Sequence, residues 1–115
     1  MRDSIIEFIN KHRKPVYKVK AGDIAVLDIS GHCGARCVNS VGFLSRRHLR
    51  KLKSLIQQYE EWAYRTDSDT CEHCGLPSVL QWGRFMVKEV SDSDIKQALE
   101  LNMGIDDLYR ELYSI

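Results

Sequence analysis

The chain has 115 residues, 43 % hydrophobic and 29 % charged, with only two prolines; these values describe one globular domain, or one with a short appendage, and exclude wholesale disorder. The net charge of +1 hides an asymmetry, since residues 1–53 carry 12 Lys/Arg against 4 Asp/Glu (+8) and residues 54–115 carry 5 against 12 (−7). The longest apolar run, Ile24–Leu27, is far too short to span a bilayer, and Arg2, Asp3 and Glu7 interrupt the first ten residues as no secretory signal would allow, so a cytoplasmic protein is expected.

In chain order, Ser4 to Arg13 places Ile5, Ile6, Phe8 and Ile9 on a short predicted helix, capped by Ser4 or Asp3 and ended by Pro15. Val16–Lys20 alternates partly and reads as a strand. Ala21-Gly22-Asp23 is turn chemistry, and Ile24–Ile29 reads as a second, largely buried strand. Together they predict a hairpin that leads into Ser30-Gly31-His32-Cys33.

The clearest element runs from about Ser45 to Tyr64. Leu49, Leu52, Leu55, Ile56, Tyr59, Trp62 and Ala63 recur at three- and four-residue steps, the mark of an amphipathic helix. Val79–Val90 is compatible with a strand interrupted at Gly83. From Ser91 the pattern is helical again: Ile95, Ala98, Leu99, Leu101 and Met103 form one face, Asn102-Met103-Gly104 breaks it, and Ile105, Leu108, Tyr109 and Leu112 restart it.

The four cysteines are spaced Cys33-x3-Cys37 and Cys71-x2-Cys74, with 33 residues between the pairs. In a reducing compartment, two separated pairs point to metal ligands before disulfides, and two pairs of thiolates close a tetrahedral zinc site. Cys71-Glu72-His73-Cys74-Gly75 resembles the zinc knuckle of zinc ribbons and treble clefs. Its glycine permits a tight turn whose backbone N–H groups face sulfur. The first pair has one residue more than that pattern, although Gly31 and Gly34 permit a compact loop. His32 and His73 adjoin ligands and could replace a cysteine, but flanking or hydrogen-bonding roles suit them better. His12 and His48 lie in basic stretches and suit solvent or phosphate. A redox C-x-x-C is the alternative use of Cys71 and Cys74.

A closed four-thiolate site has no open position for water, and the chain lacks H-x-E, H-E-x-x-H, G-x-S-x-G and phosphate-binding glycine loops. An enzyme is therefore not expected. Arg46, Arg47, Arg50, Lys51 and Lys53 crowd the start of the long helix, where the macrodipole disfavours cations. Presented on one face, they suit phosphates; an ordinary solvated face is the plainer reading.

Ala98 to Leu112 resembles the helix-turn-helix of many bacterial DNA-binding proteins, with Ala98 against the second helix, Asn102 at the turn position and Leu108 toward the core. The second helix departs from that pattern in opening with Asp106 and Asp107 and ending with Glu111. Residues 89–115 carry 7 Asp/Glu against 2 Lys/Arg, a field that repels DNA, so the pair reads as a helical hairpin that packs on the domain or docks on a protein.

The resulting expectation is an α+β fold: a zinc-binding domain over residues 1–88, with a β-hairpin and a central amphipathic helix, and an acidic helical hairpin over 89–115 packed on it. The metal is Zn2+, held by Cys33, Cys37, Cys71 and Cys74. The function is regulatory and non-enzymatic, exerted on nucleic acid or on a nucleic-acid machine such as a polymerase in transcription. The alternative is a protein-interaction module or inhibitor that docks Asp106, Asp107 and Glu111 on a basic partner.

Overall fold

A computed structural model describes residues 1–114. It is α+β, with one three-stranded antiparallel sheet in the order β2-β1-β3. The strands are β1 (Ile24–His32), β2 (Ala35–Leu44) and β3 (Arg84–Glu89), and the helices are α1 (Arg2–His12), α2 (Leu49–Thr66), α3 (Ser78–Gln81), α4 (Asp92–Glu100) and α5 (Ile105–Tyr113).

The central strand explains the architecture. Four successive apolar residues open β1, and all four are buried. Side chains alternate across a strand, so such a run can be covered only from both sides. Ile24 and Val26 join Ile5 and Ile9 of α1, Leu52, Ile56 and Tyr59 of α2, and Leu80 of α3 in one core. Ala25, Leu27 and Ile29 face the other way, into a second core with Ala98 of α4 and Ile105, Leu108 and Tyr109 of α5. The acidic C-terminal helices thus supply one of the sheet's two covers. Ser91 caps α4 by accepting from the Asp94 N–H at 3.0 Å. Asn102 takes a left-handed φ of 54° at the break between α4 and α5, where Ala98 and Leu108 are buried.

A hairpin is present, but not the predicted one. Val16–Lys18 is a single 3-10 turn, Tyr17 is 83 % exposed, and both flanks of β1 are taken by β2 and β3. The Val16–Lys20 stretch therefore has no strand to pair with. The partner of β1 is β2, whose Arg36, Asn39 and Ser40 gave no strand pattern because only Val38, Phe43 and Leu44 are buried. A register shift in β2 opposite Val26/Leu27 further breaks its alternation. The long helix runs Leu49–Thr66 behind a 3-10 turn at Arg46–His48. Only the second half of Val79–Val90 is strand, the first being α3. Among the described residues no helix is long and apolar enough to cross a membrane.

Candidate metal centre

Two short turns build the site. The first joins β1 to β2: His32 pairs with Ala35, leaving Cys33 and Gly34 as a two-residue loop. Cys33 has φ 62°, a left-handed value at the first loop position that glycine normally occupies in such hairpins. For a residue with a Cβ that conformation costs roughly 1–2 kcal/mol. Gly31, also left-handed at φ 95°, sits below the turn, and a Cβ there would stand 2.4 Å from the Ala35 carbonyl oxygen. Arg84 secures the strand end by donating to the Gly31 carbonyl at 2.8 Å.

The second turn spans Thr70–Pro77, which form a bridge. The Cys71 N–H donates to the Leu76 carbonyl at 3.0 Å, and the Gly75 N–H donates to the Cys71 carbonyl at 2.9 Å. Gly75 has φ 75°, the conformation that the glycine after a knuckle provides. Asp67 holds the loop's base by accepting from the Asp69 and Val79 N–H groups. Leu76, Val79 and Leu80 tie it to the first core.

These turns bring His32, Cys33, Cys71 and Cys74 together, with all four ligand atoms within 4.8 Å of one another. Cys33 Sγ and Cys71 Sγ are 3.6 Å apart; His32 Nδ1 lies 3.2 Å from Cys33 Sγ and 3.6 Å from Cys74 Sγ. A tetrahedral ion with sulfur at 2.3 Å and nitrogen near 2.0 Å implies edges of roughly 3.8 Å between sulfurs and 3.5 Å between sulfur and nitrogen. The observed spacings fit, and the cluster can hold a metal ion. The backbone N–H groups of Cys74 and His73 lower the Cys71 thiol to about 6, while its hydrogen bond to Cys71 pushes Cys33 up to about 11. The depressed Cys71 thiol favours the thiolate form that ligation requires.

Three of the four expected ligands converge; Cys37 does not belong to the cluster, and His32, expected to flank the site, stands in its place. The reason is the local conformation. Cys71-x2-Cys74 lies in a closed turn, whereas Cys37 lies in extended β2 opposite Ser30, two residues beyond the Ala35 that pairs with His32. At ~3.3 Å per residue a strand carries that thiol away from the tip. Cys37 is exposed, with the Asn39 amide at 3.8 Å from its sulfur. His73, within the knuckle, is exposed and also outside the cluster. A signal for His32 was present in the sequence: with Cys33-Gly34 read as a two-residue hairpin turn, the residue before the cysteine must sit at the same tip.

The basic residues Arg46, Arg47, Arg50, Lys51 and Lys53 are all exposed. Four of them, Arg46, Arg47, Arg50 and Lys53, line a shallow recess of about 540 Å³ with Ser54 and Gln57. Arg46 pairs with Glu89 at 2.9 Å, and Arg47 donates to His48 at 3.3 Å. Arg50, Lys51 and Lys53 form no ion pair among the described residues. His48 stacks on His12 at 4.2 Å. Elsewhere in the basic half of the sequence, Lys14 is held by Asp23 at 2.6 Å and Arg36 donates to the Tyr113 carbonyl at 2.9 Å. Among the acidic residues, Asp107 is paired with Arg110, Asp106 is half-buried and lines a recess that Arg13 and Lys14 also line, and Glu111 is exposed. Neither a family model, nor a curated protein, nor a solved structure matches this chain.

Proposed function

We propose that this chain is a non-enzymatic, zinc-stabilised regulatory module that contacts nucleic acid, or a nucleic-acid machine such as a polymerase, through the basic face at the start of α2. Three sulfurs and one imidazole nitrogen at tetrahedral spacing suit Zn2+. Four protein ligands leave no position for water, which makes the ion a structural staple between the hairpin tip and the 70–77 turn.

The observation that carries the functional reading is the cationic recess. Leu52, Ile56, Tyr59 and Ala63 commit one side of α2 to the core. The opposite side presents Arg50, Lys51 and Lys53 to solvent, with no ion pair to any of them among the described residues. Cations placed against the helix dipole are offset by polyanion contact, and phosphates supply it. Fluorescence anisotropy with labelled duplex and single-stranded oligonucleotides tests the proposal across a salt series. Binding should weaken linearly in log–log form with salt. Arg50→Ala, Lys51→Ala and Lys53→Ala together should flatten the slope by about 0.9 for each lost duplex phosphate contact. Absence of any binding at low salt rejects direct contact with nucleic acid.

A further inference from the structure

The two turns of the metal centre carry three thiols, and two of them are already in contact. Cys33 Sγ and Cys71 Sγ lie 3.6 Å apart, although the residues are 38 positions apart in the chain. All four cysteines are free. A disulfide brings its sulfurs to about 2.05 Å, so this pair must close by roughly 1.5 Å. Cys33 can supply that movement, because it is exposed on a two-residue loop. Cys71 is the fixed partner: its N–H donates to the Leu76 carbonyl at 3.0 Å, and its carbonyl accepts from the Gly75 N–H at 2.9 Å.

The other pairings are disfavoured. Cys37 sits in extended β2, opposite Ser30 and outside the cluster. A Cys71–Cys74 bond would cross-link a single turn that backbone bonds already hold. A Cys33–Cys71 bond closes the whole stretch between the two turns, and the longer loop removes more freedom from the unfolded chain.

We propose that Cys33 and Cys71 form a hydroperoxide-sensitive pair: oxidation joins them in a disulfide that releases a bound ion and takes over its task of holding the two turns together. The oxidant class is represented by hydrogen peroxide. The sulfur of one thiol attacks a peroxide oxygen; the O–O bond breaks, an S–O bond forms, and the products are a sulfenic acid and water. The second sulfur then displaces that oxygen. An S–S bond forms, the S–O bond breaks, and the hydroxyl leaves as a second water with the second thiol's proton. Together the two thiols lose two electrons, and one peroxide gains them. With an ion in place both sulfurs start as thiolates, and solvent supplies the two protons. Only His32 and Cys74 of the cluster then remain as ligands, too few for a closed tetrahedral site. The release of the ion rests on the zinc reading above, whereas the disulfide rests on the sulfur positions alone.

Titration of the full, zinc-loaded chain with hydrogen peroxide tests the proposal, with a chromophoric zinc indicator and denaturing mass spectrometry as readouts. Release of the ion should coincide with a mass loss of about 2 Da, the two thiol hydrogens, and dithiothreitol should reverse both. Trypsin cuts after Arg36 and Arg65, so the Cys33–Cys71 bond should link two peptides, whereas a Cys71–Cys74 bond would stay within one. Fragment-ion sequencing of the linked pair should place the bond at Cys71. Cys37→Ser and Cys74→Ser should both retain the link, the second even with its metal site impaired. The oxidised, metal-free chain should melt several degrees above the chelated, reduced chain, because one staple has replaced the other. A bond confined to one peptide, a link at Cys74 or Cys37, or sulfinic acids in place of a disulfide overturns the proposal. So does an oxidised chain that melts no higher than the chelated one. Reduced protein that holds no zinc, yet forms the Cys33–Cys71 link, rejects the zinc reading and leaves the thiol pair standing.

Discussion

The Nδ1 of His32 stands 3.6 Å from the Sγ of Cys74, although 42 residues separate them in the chain. That contact joins the tip of the β1–β2 hairpin to the 70–77 turn. None of the four clustered residues belongs to either hydrophobic core. An ion bound there would staple the edge of an already covered sheet, and chelation should loosen the edge without melting the fold. Far-UV circular dichroism should be nearly preserved on chelation. Tryptophan fluorescence should change, because Trp82 meets the His32 ring edge-on at 6.3 Å. A ligand that binds only the native state at a hundredfold excess over its Kd stabilises by about 2.7 kcal/mol, so the thermal midpoint should fall by several degrees. Complete loss of helix on chelation would show that the cores depend on the ion.

Cys33 combines a place in the candidate metal cluster with an unfavourable backbone. Its φ of 62° suits glycine, so Cys33→Gly and Cys33→Ala should differ in a diagnostic way. Both remove one sulfur and should abolish tight metal binding. In metal-free protein, Cys33→Gly should be the more stable of the two by about 1 kcal/mol, because it relieves the left-handed strain that alanine retains. Chemical denaturation of the two apo variants measures the difference; equal stabilities would mean that the turn relaxes once the sulfur is gone.

Gly31 controls the same tip from below. A methyl group there meets the Ala35 carbonyl oxygen at 2.4 Å and must also accept φ 95°. Gly31→Ala should therefore force the hairpin end to shift and weaken metal affinity at least tenfold, even though every ligand remains. Competition with a chromophoric chelator reads that affinity, and wild-type affinity would show that the tip tolerates the shift.

The parts legible in the sequence are those in which local pattern and tertiary role coincide. β1 was visible because burial on both faces demands an unbroken apolar run, and α2 because its core side repeats at helical spacing. The knuckle at Cys71–Gly75 was visible because its chemistry is contained in five consecutive residues. β2 was hidden by its polar edge residues and its register shift. The difference at Cys37 follows from that omission: without β2, Cys37 reads as part of a loop, while as a strand residue it lies away from the tip and the imidazole of His32 stands in the cluster that could hold an ion. The Val16–Lys20 alternation misled because pattern alone does not reveal whether a neighbouring strand is vacant.

At the edge of the second core lies a part-buried polar chain that should set the acid limit of stability. Tyr109, fully buried, donates to Asp94 Oδ2 at 2.7 Å, and the Lys88 ammonium lies 3.2 Å from the same oxygen. Burial by itself raises the Asp94 carboxyl, but the bonds from Tyr109, Lys88 and Ser91 outweigh it and hold the group below the ordinary carboxylate value. A depressed native value means that the unfolded chain binds a proton more readily than the folded one. The stabilisation is therefore complete above the unfolded value, about 3.9, and is lost as pH falls through the native one. Tyr109→Phe keeps the ring in the core and removes one bond to a charged acceptor, which should cost about 1.5–3 kcal/mol at neutral pH. The loss should shrink as Asp94 becomes protonated in acid. Denaturant midpoints of wild type and variant, compared at pH 7 and near pH 3, should lie closer together at the lower value; a constant gap would mean that the phenol's contribution is packing rather than its bond to the carboxylate.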